Sequence, residues 1–94
     1  MPEQKKVTIE KIENYWEITS KALDLAKNNI SKGKEKEAEE LIKMVGAYLS
    51  DSHHFEQEGH YVNAFAAVNY AHGWLDSGAR LKIFNVTDTS LFTI

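Results

Sequence analysis

The 94-residue chain predicts an all-α fold, an up-down-up three-helix bundle over residues 1–84 with a short C-terminal tail over 85–94. Three observations point there. Apolar residues recur at intervals of three and four in three successive segments, nothing alternates with the period of two that a strand needs, and the breaks between segments fall at glycine. The short connections make neighbouring helices antiparallel, so helices 1 and 3 run parallel.

The first helix is marked by Ile9, Ile12, Trp16, Thr19, Leu23, Ala26 and Ile30, with Thr8 as its N-cap and Ser31-Lys32-Gly33 as its stop. Glu10, Glu13, Glu17, Lys21 and Asp24 fill its wet side. The second starts near Glu35 and carries Ala38, Leu41, Val45, Tyr48, Ser52 and Phe55 on one stripe. Glu35, Glu37, Glu39 and Glu40 crowd its first turns, where the positive end of the helix dipole favours them, and Gly59 caps its C-terminus. The third runs from His60 to about Ile83.

Helix 3 differs from the other two. Placed at 100° intervals, its apolar or small residues span an arc of roughly 200°, and the opposite arc is small and nearly uncharged. From His60 to Ala79 the one formally charged side chain is Asp76. Gly73 and Gly78 each cost about 1 kcal/mol relative to Ala in a helix interior, which calls for close approach of a neighbour or ligand. The plain reading is tight packing within one bundle; the other is a surface that a partner covers. The tail ends in Leu91, Phe92 and Ile94, which either cover helix 3 or join it in self-association as a twofold dimer.

Composition excludes several function classes. With 43% apolar and 27% charged residues the chain has the balance of a soluble globule, and its lack of cysteine excludes disulfides, thiolate metal sites and cysteine nucleophiles. No signal peptide is evident at the N-terminus, and the most apolar stretch, Tyr61 to Leu75, is too short to span a bilayer. A cytoplasmic location without membrane association is the expectation. Residues 1–46 balance nine Lys against nine Asp and Glu, whereas residues 47–94 set Arg80 and Lys82 against five acids. Phosphate backbones need several convergent cations, so nucleic acid is disfavoured, although Lys5, Lys6, Lys32, Lys34 and Lys36 lie at the ends of helix 1.

Two polar groups are candidates for chemistry. His53, His54, Glu58 and His60 sit near the second turn, with His54 and Glu58 at a spacing that can hold a divalent metal. No second His-bearing helix faces them, so they read as surface and capping groups and no cofactor or metal is expected. His72, Asp76 and Arg80 are successive i, i+4 neighbours and can form a carboxylate-bridged ladder. Asp51 is expected deep in the helix 2 stripe, in a mid-bundle layer with Trp16, Tyr48 and Tyr70. That layer reads first as a buried polar network fixing helix register, and second as a pocket in which Tyr70 and Trp74 could stack on a ligand. Catalysis is the minor case, because no nucleophile or oxyanion donor accompanies the His–Asp pair in the sequence.

The run Tyr48-x-x-Asp51-x-x-His54-Phe55-x-x-x-Gly59, followed by Ala64, Ala67, Tyr70-Ala71-His72-Gly73-Trp74-Leu75-Asp76-x-Gly78-x-Arg80, resembles the archaeal domain of unknown function 357 family. The resemblance extends over essentially the whole chain, with His60 and Lys82 standing where the family pattern has Asp and Gly. It implies an archaeal cytoplasmic helical bundle of uncharacterised function, one that can accompany nucleotidyltransferase-like domains, and it carries no catalytic residues over. A looser similarity to helical bundles of prokaryotic toxin systems lacks its motif, since no His follows Arg80. The expected function is a non-enzymatic interaction or scaffold module that meets a protein partner, or itself, through helix 3 and the tail. The alternative is a small-ligand or nucleotide-binding accessory domain around Asp51, Tyr70, His72, Trp74, Asp76 and Arg80; a ribonuclease ranks third.

Overall fold

A computed structural model describes residues 6–94, so Lys5 lies outside the described residues. The fold is an all-α bundle of α1 (Ile9–Lys27), α2 (Glu35–Gln57) and α3 (Tyr61–Arg80), with no strand among the described residues. Each helix packs on both others; the α2–α3 interface is the largest and the α1–α2 interface the smallest. The chain is 43 Å long and 30 Å wide but 15 Å thick.

Helix ends follow local chemistry. The Thr8 hydroxyl accepts the Lys11 N–H at 3.2 Å and caps α1. At the other end the Asn28 and Asn29 side chains donate to the Asp24 and Leu25 carbonyls at 2.9 and 2.8 Å. Such local bonds compete with the helix ladder, and α1 stops at Lys27 rather than running to Ile30. Ile30 instead forms an antiparallel bridge with Phe84, through Ser31 N–H to the Ile83 carbonyl at 2.9 Å and Asn85 N–H to the Asn29 carbonyl at 2.6 Å.

Both α2 and α3 end in the same paired-bond motif. For α2, His60 N–H reaches the Phe55 carbonyl at 2.8 Å and Gly59 N–H the Glu56 carbonyl at 3.0 Å, with Gly59 at φ +81°. For α3, Ile83 N–H reaches the Gly78 carbonyl at 2.9 Å and Lys82 N–H the Ala79 carbonyl at 3.2 Å, with Lys82 at φ +62°. The left-handed residue ends α3 at Arg80, before Ile83.

The core joins Ala22, Leu23 and Ala26 of α1, Ala38, Val45 and Leu49 of α2, and Val68, Ala71, Leu75 and Ala79 of α3. Small residues on α3 let the helices approach closely. Phe84 closes the core at one end: a Cβ at Gly78 would lie 2.5 Å from the Phe84 ring, so that ring rests directly on the glycine backbone. Val86 and Phe92 are buried as well. Between them the Asp88 carboxylate accepts the Ser90 hydroxyl and N–H, which hold its pKa below the usual carboxylate range. The tail then returns along α3, where Thr93 N–H donates to Asp76 Oδ1 at 2.9 Å. It covers the bundle, as the simpler of the two sequence readings has it.

Side-chain bonds join every pair of helices. Trp16 Nε1 donates to the Leu49 carbonyl at 2.9 Å (α1 to α2). Ser52 Oγ donates to the Ala64 carbonyl at 2.7 Å (α2 to α3). Thr19 Oγ1 meets His72 Nδ1 at 2.9 Å (α1 to α3). No described helix is long and apolar enough to cross a membrane.

Candidate functional site

The candidate residues divide between two faces of α3. On the α1 side, His72 links Thr19 to Asp76, with His72 Nε2 3.5 Å from Asp76 Oδ1, and Asp76 in turn accepts Thr93 N–H. Thr19, His72 and Asp76 border a cavity of about 250 Å³ that Tyr15, Ile18, Asn69 and Gly73 complete. The order hydroxyl, imidazole, carboxylate is that of a hydrolytic triad. Two facts argue against that chemistry. Thr19 is 2% exposed, so little of it is open to a substrate. It also sits mid-helix, where the nearby backbone N–H groups are held in the ladder and cannot stabilise an oxyanion. The chain of bonds holds α1, α3 and the tail together.

On the α2 side, Tyr48, Asp51, Phe55, Asn63, Ala66, Ala67 and Tyr70 line an open groove of about 490 Å³. Tyr70 stands edge-on to Tyr48 with ring centroids 4.6 Å apart, and edge-on to Trp74 at 6.1 Å. A second depression adjoins it, lined by Asn69, Tyr70, Gly73, Trp74 and Ser77. Trp74 Nε1 is shut off from solvent and has no hydrogen-bond partner. The solvent-facing stripe between them, Val62, Asn63, Ala66, Asn69, Tyr70, Gly73 and Ser77, has no charged side chain. Val62 is 71% exposed and Tyr70 54% exposed.

Three sequence expectations need correction. Asp51 is exposed rather than deep in the helix 2 stripe, and the buried polar residue is its neighbour Ser52. One residue is 100° of rotation, and the stripe centres on Val45, Leu49 and Ser52, which turns Asp51 to the groove rim. The layer of Trp16, Tyr48, Asp51 and Tyr70 consequently divides: Trp16 faces Leu49 and His53, while Tyr48 and Tyr70 pair on the outside. The ladder stops at Asp76. Its carboxylate is engaged by His72 and the tail, and no ion pair joins it to exposed Arg80 among the described residues.

Sequence reasoning passed over Thr93 as Asp76's partner, and no helical period could reveal it. Thr19 was placed on the α1 stripe, but its facing to His72 depended on packing. His54 and Glu58 form an exposed pair at 3.3 Å, and among the described residues no group of three or more His, Asp and Glu side chains is placed to hold a metal.

The geometry defines a three-helix bundle whose last helix keeps an uncharged, solvent-facing stripe. The family model described as "Protein of unknown function (DUF357)" matches residues 14–84, and the chain belongs to that family. No curated protein and no solved structure matches it.

Proposed function

We propose that the protein is a non-enzymatic interaction module that docks a protein partner on the outward face of α3, with Tyr48 and Phe55 of α2 forming one wall. The observation that carries this reading is the solvent-facing stripe from Val62 to Ser77, which is uncharged and holds a half-exposed tyrosine. Such contiguous, charge-poor surface is a common mark of an interface, and aromatic anchors beside small residues supply its energy. One further feature supports it: nothing lies within 4 Å of where a Cβ would stand at Gly73, so a partner backbone can approach there. A second copy of the chain is the simplest partner.

The test compares wild type with Tyr70→Glu, by light scattering coupled to size exclusion and by affinity capture from the native cells. We expect dimeric mass or a specific captured partner for wild type, its loss in the variant, and equal thermal midpoints. A monomer that captures the same proteins with and without the substitution overturns the proposal.

A second reading, binding of a small ligand, is favoured by the cavity beside His72 and Asp76. A phosphate ligand is disfavoured there, because neither Arg80 nor any lysine lines the cavity.

A further inference from the structure

The outward face of α3 has a symmetry of its own. About the midpoint between Asn69 and Tyr70 its exposed residues fall into matched pairs, Val62 with Ser77 and Ala66 with Gly73. A second α3 laid antiparallel across that midpoint sets each member of a pair against the other. Ala66 then meets Gly73, beside which a Cβ would find open space, so the two backbones can come close. Tyr70 meets Asn69. The Asn69 amide N–H is committed to the Phe65 carbonyl at 2.8 Å, which leaves its oxygen to accept the tyrosine hydroxyl.

Charge decides the direction of the pairing. Arg80 continues the stripe one turn beyond Ser77, is exposed, and has no ion pair among the described residues. At the other end of the face, Glu58 continues the side of α2 that brings Asp51 and Phe55 to the groove. It too is exposed, touched by the exposed His54 at 3.3 Å. In the antiparallel arrangement Arg80 lies level with Gly59 of the second copy, beside Glu58, and symmetry makes this contact twice. A parallel arrangement sets Arg80 against Arg80 and Glu58 against Glu58, which like charges oppose. Opposite charges at opposite ends of one face are what a twofold, self-complementary surface needs. There is also room for it. α3 packs on both α1 and α2 in a chain 15 Å thick, so its free side opens on a face of 43 by 30 Å. A stable interface takes roughly 800 Å² from each partner.

We infer that the α3 face pairs with α3 of a second copy in antiparallel orientation, crossing near Tyr70 and closed at each end by an ion pair between Arg80 of one copy and Glu58 of the other. This rests on the docking reading of the face and fixes the partner and the register within it.

Because the chain has no cysteine, introduced thiols report the register cleanly. Ala66→Cys and Gly73→Cys, mixed and oxidised, should give a disulfide-linked dimer of one variant with the other. Each alone should stay uncrosslinked, since two copies of either position lie about 10 Å apart along the helix axis and a disulfide spans Cα atoms up to about 7 Å apart. Analytical ultracentrifugation gives the second readout. Arg80→Glu and Glu58→Arg, both at exposed positions, should each weaken the dimer about tenfold, and the double variant should restore it. Crosslinking of each cysteine variant with itself but not in the mixture overturns the register, and so do charge variants that leave the dimer unchanged; a dimer that Tyr70→Glu still abolishes keeps the docking face in both cases. A chain that stays monomeric and captures a partner released by Tyr70→Glu overturns self-pairing alone. A monomer whose captured proteins ignore Tyr70→Glu overturns the docking face and this pairing together.

Discussion

His60 and Lys82 hold the two ends of α3 with side chains ill suited to the task. His60 occupies the N-cap position and makes no side-chain cap bond, so the first N–H groups of α3 lack the partner that an Asp would provide. Lys82 sits at φ +62°, where a Cβ is strained and glycine is not. Asp and Gly are the residues that such cap positions favour. His60→Asp and Lys82→Gly should each stabilise the fold by about 0.5–1 kcal/mol. Because they act about 30 Å apart, their effects should add. Urea denaturation of the single and double variants checks both statements. A neighbouring pair makes the complementary point. Asp51→Ala at the groove rim should change stability by less than about 0.5 kcal/mol. Ser52→Ala removes the bond to the Ala64 carbonyl and should cost about 1 kcal/mol. The same denaturation assay separates the two, and a larger loss at Asp51 than at Ser52 would reverse the assignment. Period alone did not distinguish them, since Tyr48 and Phe55 flank both. The centre of the stripe had to be found from Val45 and Leu49, which face a neighbour whose position the sequence does not state.

At the scale of elements, the two glycines within the second half of α3 have opposite meanings. Gly78 lies under the Phe84 ring and against Leu41, so Gly78→Ala must displace a buried ring. The strain, about 1–3 kcal/mol, exceeds the gain of about 1 kcal/mol in helix propensity, and a net loss is expected. Gly73 faces open space, and Gly73→Ala should gain most of that propensity in the free protein. Thermal denaturation of the two variants should therefore move in opposite directions; shifts of the same sign would mean that Phe84 yields freely or that Gly73 is covered. Helix number, type and order were legible because amphipathic periodicity extends over full helices. The ends were less so: Asn28 and Asn29 stopped α1 early, and Lys82 stopped α3, both through local bonds that override a continuing apolar period. The candidate site was legible as residue types on α3 and illegible as geometry. His72 and Asp76 fell on the α1 side, Tyr70 and Trp74 on the α2 side, and Arg80 apart, because only the packing of α1 and the tail decides which groups meet.

For the whole molecule, α3 is the common neighbour of everything else: it touches α1, α2 and, through Asp76 and Gly78, the segment after it. In a chain 15 Å thick such a helix retains an uncovered face even when fully packed on both sides. This accounts for an apolar arc wider than two neighbours need. It also puts the proposed docking surface on the element with the most internal support, where a partner would meet a rigid scaffold with little ordering cost.

The three crossing bonds have a mechanical consequence. α1 contributes Trp16 and Thr19, α2 contributes Leu49 and Ser52, and α3 contributes Ala64 and His72, so each helix takes part in two of the three. Sliding any one helix by a single turn, about 5.4 Å, would break two bonds together and sacrifice about 1–3 kcal/mol before any loss of packing. A shift of two helices in concert relative to the third meets the same penalty. Axial slippage is thus opposed in every combination by the joint loss of two bonds.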